Sequence, residues 1–250
     1  MCSIVILRRP GHDWPVVIGA NRDEMAGRPW LPPGRHWPDR PNVVAGLDKL
    51  AGGSWLGVND EGVVAGVMNR MNTLGPEPGR RSRGELVLEA LDHADARAAA
   101  HALAALDPGA YRPFNMVIAD NRDGFWLRNL GHVQGWIDVW ELPAGLSMIT
   151  ARDRNDTTSR RIRTYLPRFE AAPPPDPAHN DWQAWEALLA GTDYEAGGTP
   201  TDAMAFTTDS GFATLSSALI ALPAPALRRR PLWRFAAGRP GTHPFETVDF

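Results

Sequence analysis

The sequence has a single cysteine, Cys2, among its 250 residues. One thiol cannot form a disulfide within the chain, and it excludes zinc or iron–sulfur sites that need clustered thiolates. The seven histidines are scattered along the chain, and because they lack metal-ligand spacings we predict no metal site. A lone cysteine fits a reducing compartment, so we expect a cytoplasmic location.

Long apolar runs and an excess of basic charge are also missing. No uninterrupted apolar stretch approaches the roughly 20 residues that cross a bilayer, so we predict no membrane span. The short apolar start is followed by Arg8, Arg9 and Pro10, unlike a secretory signal. The formal net charge of −3 disfavours nucleic acid as a partner. GxGxxG, Walker-type and GxSxG motifs are absent, so neither phosphate binding nor a serine-hydrolase elbow is supported.

The order of hydrophobic patterns predicts antiparallel sheets covered by helices in one domain over residues 1–250. Strands joined by short turns dominate, without the repeated strand–helix–strand alternation of a doubly wound parallel sheet. The predicted strands cover 2–7, 16–20, 55–58, 63–68, 115–120, 125–128, 136–142, 146–150, 204–208, 213–222 and 245–250. The predicted helices cover 86 to about 106, 158–169 and 179–190. Ser82-Arg83-Gly84-Glu85 has the spacing of a capping box before the first helix.

The segment from Arg28 to Pro41 contains five prolines, which excludes a regular helix or a central strand there. Such a segment is either an ordered surface loop or a lid over a site. It also contains Trp30 and Trp37, and we predict that these two tryptophans contact a ligand.

The position of Cys2 directly behind Met1 suggests nucleophilic chemistry. Aminopeptidases remove an initiator methionine before a small residue, which would leave Cys2 with both a thiol and a free α-amine. An α-amine with a pKa of about 7.7–8.0 is partly neutral at pH 7 and can accept the thiol proton. The alternative is that Cys2 only packs as a small apolar residue at the start of a strand.

Four polar residues, Asn21-Arg22-Asp23-Glu24, follow the second predicted strand. If that strand pairs with the strand of Cys2, Arg22 is placed to lower the pKa of the thiol. Asp23 is then placed to orient the ammonium form of the α-amine. The alternative is a solvated turn with an internal ion pair, which is how we interpret the second Asn-Arg-Asp at 121–123.

Asn69 follows a predicted strand in the context Met68-Asn69-Arg70. An amide at the end of a strand is suited to donate a hydrogen bond to an oxyanion. Upstream, Gly52-Gly53-Ser54-Trp55 contains glycines that permit close backbone approach. The alternative is a tight turn before a strand and an asparagine that caps the strand end.

Together these motifs resemble the NRDE family, also called the Transport and Golgi Organisation 2 family. The resemblance is specific over the first 90 residues and rests on Met1-Cys2, Asn21–Glu24, Arg28-Pro29, Gly52–Asn59 and Ser82-Arg83-Gly84. The family is grouped with the N-terminal-nucleophile (Ntn) hydrolases. The resemblance therefore implies an α+β fold, a four-layer αββα sandwich of two antiparallel sheets covered by helices.

Within that superfamily, choloylglycine hydrolases and penicillin V acylases are the closest chemical guide. By this resemblance Cys2 is the nucleophile, with its own α-amine as the base. Arg22 and Asp23 are the charged pair beside it, and Asn69 is the side-chain oxyanion donor. The residues predicted to bind substrate are Asn21, Trp30, Trp37 and Trp55.

The second half of the chain departs from those acylases. They carry a second asparagine after a strand of the Leu-Thr-Asn kind, whereas here Ala151 follows Ile149-Thr150. Asn155 is close in sequence but out of register. The distant arginine of those enzymes corresponds to either Arg160 or Arg161.

The predicted function is an amidohydrolase that cleaves a non-peptide C–N bond of a small molecule through a Cys2 acyl-enzyme, without a cofactor. Eukaryotic members of the family are linked to haem and lipid trafficking. The alternative function is therefore a non-catalytic protein that binds haem or another hydrophobic ligand. A third reading is a structural Ntn-like fold with no small-molecule role.

Overall fold

A computed structural model describes residues 2–132 and 135–250 of the chain; Met1, whose removal the predicted mechanism requires, lies outside the described residues. The strands are β1 (Ser3–Arg8), β2 (Val16–Met25), β3 (Trp30–Gly34), β4 (Val43–Asp48), β5 (Leu56–Asn59), β6 (Val64–Asn69), β7 (Phe114–Ala119), β8 (Gly124–Asn129), β9 (Asp138–Glu141), β10 (Gly145–Ile149), β11 (Phe212–Leu222), β12 (Leu232–Ala236) and β13 (Glu246–Thr247). The helices are α1 (Gly84–Leu91), α2 (Ala96–Ala104), α3 (Arg160–Ala171) and α4 (Gln183–Leu189).

The strands form two antiparallel sheets that stack face to face. Sheet A has the order β10-β1-β2-β11-β12-β13, and sheet B runs β3-β4-β5-β6-β7-β8-β9. Helices α3 and α4 cover the outer face of sheet A, while α1 and α2 cover sheet B. The predicted αββα sandwich is confirmed. None of the helices in the described ranges is long and apolar enough to span a bilayer.

The apolar core has three layers, and β1 shows why its sequence is a continuous apolar run. Successive side chains of a strand face opposite sides of the sheet. Ile4 and Ile6 therefore lie between the two sheets, whereas Val5 and Leu7 pack toward the helices on sheet A. Since both faces of β1 are covered, both sets of alternate positions are apolar.

The second strand is longer than the sequence predicts. The polar residues Asn21–Glu24 are not a segment after the strand, because β2 continues to Met25. Strand β1 pairs with it on one side and β11 on the other, so that Ser3 lies opposite Asn21 and Thr214 opposite Asp23. These polar side chains are therefore held inside a central strand of sheet A.

The proline-rich segment is an ordered edge strand in part. Strand β3 pairs only with β4, and its register shifts between Leu31 and Gly34, where Pro32 and Pro33 stand. An edge position tolerates proline because one side of the strand needs no hydrogen-bond donor. The exclusion of a central strand is confirmed, whereas the prediction of a loop is wrong for Trp30–Gly34.

Other boundaries also differ from the prediction. The single helix predicted over 86–106 is two helices, and Asp95 caps the second by accepting a hydrogen bond from the Ala98 backbone N–H. The capping box is absent, because Arg83 occupies the N-cap without a side-chain hydrogen bond and Glu85 pairs with Arg81.

The strand predicted over 204–208 is wrong, since only Thr207 forms an isolated bridge. Strands β4 and β12 are not predicted at all.

The hairpins β5–β6 and β7–β8 are confirmed. The second Asn-Arg-Asp is the turn that we predict, because Asp120 Oδ1 accepts hydrogen bonds from the backbone N–H groups of Arg122 and Asp123. The same tripeptide thus forms a turn at one place and a buried strand at the other.

Asn115 on β7 ties the two sheets together near the end of β6. Its Oδ1 accepts hydrogen bonds from Arg70 Nη1 at 2.7 Å and Trp126 Nε1 at 3.3 Å. Its Nδ2 donates to the carbonyl oxygens of Thr150 at 2.8 Å and Arg152 at 2.7 Å. Asn115 is fully buried, so water cannot readily take over the hydrogen bonds that its side chain makes.

We expect Asn115→Ala to lower the free energy of unfolding by about 3 kcal/mol, because it leaves several buried polar groups without partners. Urea unfolding followed by circular dichroism measures the change. Asn42→Ala is the control, since Asn42 makes one long hydrogen bond of 3.4 Å to Glu61 at the surface, and we expect a change within about 0.5 kcal/mol. Equal effects of the two substitutions would contradict this account of the sheet connection.

Candidate active site

Cys2 directly precedes β1, on the side of sheet A that faces sheet B. Because Ser3 is opposite Asn21 in the antiparallel register, Cys2 comes beside Arg22. The Asp23 backbone N–H donates to Cys2 Sγ at 3.4 Å, and Sγ lies 3.5 Å from the Asp23 carbonyl oxygen. Backbone groups of Asp23 thus hold the sulfur, while Cys2 as a residue is only half-buried and lines a cavity.

The alternation along β2 separates the polar residues between the two faces of sheet A. Arg22 lies on the face between the sheets, with Cys2. Asn21 faces the helices, where its Nδ2 donates to the carbonyl oxygens of Leu189 and Met204, both at 2.9 Å. Its Oδ1 accepts from Ser217 Oγ at 2.6 Å. The side-chain amide of Asn21, predicted to bind substrate, is thus engaged in holding sheet A to its helices.

Asp23 forms a buried ion pair on the helix side of sheet A. Its Oδ2 accepts from Arg161 Nη1 at 2.9 Å, and its Oδ1 accepts from Thr214 Oγ1 at 2.8 Å. The same Nη1 donates to Ser3 Oγ at 2.7 Å. Of the two arginines left open by the sequence, Arg161 reaches this site, whereas Arg160 is 43% exposed. Removing either partner of such a pair leaves an uncompensated buried charge.

Arg22 is a buried cation that stacks on aromatic rings. Its guanidinium carbon lies 4.2 Å from the ring centre of Trp55 and 5.7 Å from that of Trp30. Only 5% of Arg22 is exposed, and within the described residues its Nη1 is buried without a hydrogen-bond partner. The aromatic faces compensate part of the charge through cation–π attraction.

The two other predicted tryptophans have different surroundings. Trp30 packs against Trp55 and Phe235 at the edge of the core between the sheets. Trp37 donates from Nε1 to the Gly52 carbonyl oxygen at 2.9 Å and packs on the helix side of sheet B. It does not line a cavity beside Cys2.

Two motifs that are distant in sequence meet through their glycines. The Ser54 backbone N–H donates to the Gly84 carbonyl oxygen at 2.9 Å. A Cβ on Gly53 would lie 2.4 Å from the Gly84 carbonyl carbon, so only glycine permits this approach. The contact places Trp55 and Arg83 on the wall of the same cavity.

A cavity of about 230 Å³ adjoins Cys2. It is lined by all four predicted catalytic residues, Cys2, Arg22, Asp23 and Asn69. Trp55 also lines it. A second, apolar pocket of about 20 Å³ also borders Cys2 and extends between the sheets. The structure therefore brings together the residues that the sequence predicts for catalysis.

Asn69 is the last residue of β6, and within the described residues its side chain has no hydrogen-bond partner. Its amide can therefore donate to a group in the cavity. No second asparagine accompanies it among the described lining residues. Asn155 has a positive φ of 56° and uses its Oδ1 to accept from the Met148 backbone N–H. Ala151 is buried and lines a different cavity.

Burial dominates the electrostatics of the thiol. Desolvation raises the pKa of Cys2 above its ordinary value, and the Asp23 carboxylate raises it further. The Asp23 backbone N–H and the Arg22 charge lower the pKa, as predicted for Arg22, but burial outweighs them. The thiol is therefore protonated at neutral pH, and a nucleophilic role requires a base.

A cation that the sequence does not single out for chemistry also lines the cavity. Burial lowers the pKa of Arg83 to about 10, and the nearby charge of Arg112 lowers it too.

Within residues 2–132 and 135–250, no group of three or more His, Cys, Asp or Glu side chains could hold a metal ion.

Comparison with known sequences points to one family. The profile described as "Transport and Golgi organisation 2" matches residues 1–164. The "Transport and Golgi organization 2 homolog" of Mus musculus is 36% identical over 75 residues, which are 29% of this chain and 26% of that protein. The match thus spans about a quarter of that relative's length.

Two solved structures illustrate the similarity in fold. An N-acylethanolamine-hydrolyzing acid amidase ortholog from Caenorhabditis elegans superposes with a TM-score of 0.58 at 13% identity, over 92% of this chain and 98% of that one. Penicillin V acylase from Agrobacterium tumefaciens superposes with a TM-score of 0.59 at 14% identity, over 100% and 86%. At these identities the likeness concerns the fold.

We expect the rate of Cys2 alkylation by iodoacetamide to rise steeply between pH 7 and 9, because the pKa of the thiol is raised. Arg22→Gln should move the profile to still higher pH, since it removes a positive charge that stabilises the thiolate. The measurement is the alkylation rate by mass spectrometry. Arg97→Gln, at an exposed ion pair with Glu141, is the control. A wild-type rate that levels off below about pH 8, or a profile unchanged by Arg22→Gln, would contradict this.

Proposed function

The chain belongs to the Transport and Golgi organisation 2 family, and we propose that it is an Ntn-type cysteine hydrolase that cleaves a non-peptide amide bond of a small molecule. One observation carries the proposal. The four residues required by this mechanism come from the position before β1, from β2 and from the end of β6, and they line one cavity. Such a cluster of a thiol, charged groups and an amide donor is suited to acyl transfer.

In the proposed reaction, removal of Met1 gives Cys2 a free α-amine, which accepts the thiol proton. The thiolate attacks the carbonyl carbon of the substrate, and the oxyanion accepts a hydrogen bond from Asn69. As the C–N bond breaks, the α-ammonium group returns the proton to the leaving amine. Water, deprotonated by the same amine, then attacks the thioester and releases the carboxylic acid and the Cys2 thiol.

Arg22 and Asp23 have separate tasks in this proposal. Arg22 shares the inter-sheet face with Cys2, so its charge stabilises the thiolate once the proton has left. Asp23 contacts the sulfur through its backbone, and its carboxylate is fixed by Arg161 from α3. A buried carboxylate near the chain start favours the ammonium form that must return the proton.

The names of the similar structures, an amidase and an acylase, support an amide as the scissile group. The alternative, a carrier of haem or a lipid, requires binding but no reaction at Cys2. The two functions therefore differ in whether a thioester forms at the sulfur.

The test is incubation of protein that begins at Cys2 with short N-acyl p-nitroanilides, followed by intact-mass detection of an acyl adduct and by p-nitroaniline release. We expect an acyl adduct that maps to Cys2 and is absent from Cys2→Ala. Haem binding by both forms, with no adduct on either, would contradict the proposal and favour the carrier.

Asn69→Ala should lower kcat by about 10²–10³, because the oxyanion loses its side-chain donor. The unfolding midpoint should stay close to that of the wild type, since the Asn69 amide has no hydrogen bond within the described residues. Asn42→Ala, outside the cavity, is the matched control and should keep the wild-type kcat. An unchanged kcat in Asn69→Ala would remove Asn69 from the mechanism.

A further inference from the structure

We infer that the cavity beside Cys2 contains an anion subsite at Arg83, and that the substrates are N-acyl conjugates of an amine that carries a carboxylate. The identity of the scissile bond rests on the proposed function. The anion subsite rests on the charges of the cavity and can be tested without any reaction.

The cavity wall is cationic. Six arginines and four acidic residues line it. Most of the acids already have partners: Asp48 pairs with Arg28 at 2.6 Å, and Glu77 lies 3.3 Å from Arg112 and 3.6 Å from Arg80. The wall therefore has more positive charge than its own carboxylates neutralise.

Arg83 is one of the lining cations that form no ion pair with a carboxylate among the described residues. Its Nη1 donates to Thr73 Oγ1 and to the Pro113 carbonyl oxygen, each at 3.0 Å, and its Nη2 donates to the Thr73 carbonyl oxygen at 2.8 Å. These neutral oxygens fix the guanidinium in place, and no carboxylate of the described residues forms an ion pair with it. The pKa of Arg83 is lowered because the guanidinium is buried and lies near the positive charge of Arg112. A ligand carboxylate would supply the missing countercharge.

Arg22 adds a second unsatisfied cation to the same wall. Its Nη1 is buried and has no hydrogen-bond partner within the described ranges. A buried donor without an acceptor costs free energy, and an anionic ligand in the cavity can reduce this cost. Two cations without carboxylate partners therefore border the cavity that Cys2 faces.

The two cavities at Cys2 differ in polarity, and this difference would determine the orientation in which a substrate binds. The small pocket between the sheets is mainly apolar, with Ile4, Met68 and Phe235 in its wall, although Arg22 borders it as well. Its volume of about 20 Å³ has room only for the end of a short acyl chain. The larger cavity has the arginines and Asn69. We therefore expect the acyl group to enter the apolar pocket and the charged amine portion to lie toward Arg83.

A matched pair of ligands tests the subsite: N-butanoylglycine and the neutral N-butanoylglycinamide, titrated by calorimetry into the full chain with Cys2→Ala to prevent turnover. We expect the carboxylate to bind about tenfold tighter or better than the amide, as for a charged hydrogen bond. Adding Arg83→Gln should abolish the preference, whereas Arg97→Gln should keep it. Equal affinities for the two ligands in Cys2→Ala would overturn the inference.

A second variant covers the case that Arg83→Gln does not fold, since Arg83 also holds residues 73–75. Glu77→Gln removes a half-exposed acid from the rim and should tighten N-butanoylglycine binding several-fold, with no change for the amide. Unchanged binding of the carboxylate would contradict the subsite.

The outcomes also separate the inference from the proposed function. A carboxylate preference without any acyl-enzyme in the wild type would support the subsite and contradict the amidase. Acyl-enzyme formation at equal kcat/KM from both ligands would support the amidase and contradict the subsite.

Discussion

The pairing of β1 with β2 is the constraint on which the site depends. With Ser3 opposite Asn21, Cys2 and Arg22 share the face between the sheets, and Asp23 faces the helices. A slip of one residue would exchange the two faces of β2 and place the Asp23 carboxylate in the apolar core. Pairing with β11 on the other side of β2 and the ion pair with Arg161 both fix this register. The fold thus holds a thiol beside a cation by means of interactions on the opposite face of the same sheet.

The parts of the fold that the sequence predicts are those determined locally. The hairpins β5–β6 and β7–β8 have apolar strands joined by short turns, and both the pattern and the turn are visible in the sequence. Strand β2 is different, because its polar end is buried only through partners such as Thr214 and Arg161, which are more than a hundred residues away. The break between α1 and α2 was predictable in principle, since Asp95 is a typical N-cap. The helix-forming residues on both sides of Asp95 favour a single continuous helix, which is why the sequence alone predicts no break.

The site divides in the same way. Residue chemistry and the family resemblance predicted Cys2, Arg22, Asp23 and Asn69, but only the tertiary structure brings them to one cavity. The sequence left Arg160 and Arg161 equivalent, and burial distinguishes them. The sequence does not identify Arg83 as a site residue, because its motif indicates the start of a helix and membership of the family but no role for the arginine itself. The position of Arg83 on the cavity wall depends on the contact between Gly53 and Gly84, which lie about thirty residues apart in the sequence. Trp37 and the side chain of Asn21 serve the packing of each sheet on its helices.

The central claim is that the reactive group is an N-terminal cysteine with a free α-amine. The thiol alone is a poor nucleophile at neutral pH, because burial and Asp23 raise its pKa, so the mechanism requires that amine as its base. The most direct measurement is the mass of the N-terminal peptide from protein purified from cells. The account predicts a peptide that begins at Cys2 with an unmodified α-amine. A peptide that retains Met1 in active protein would contradict it.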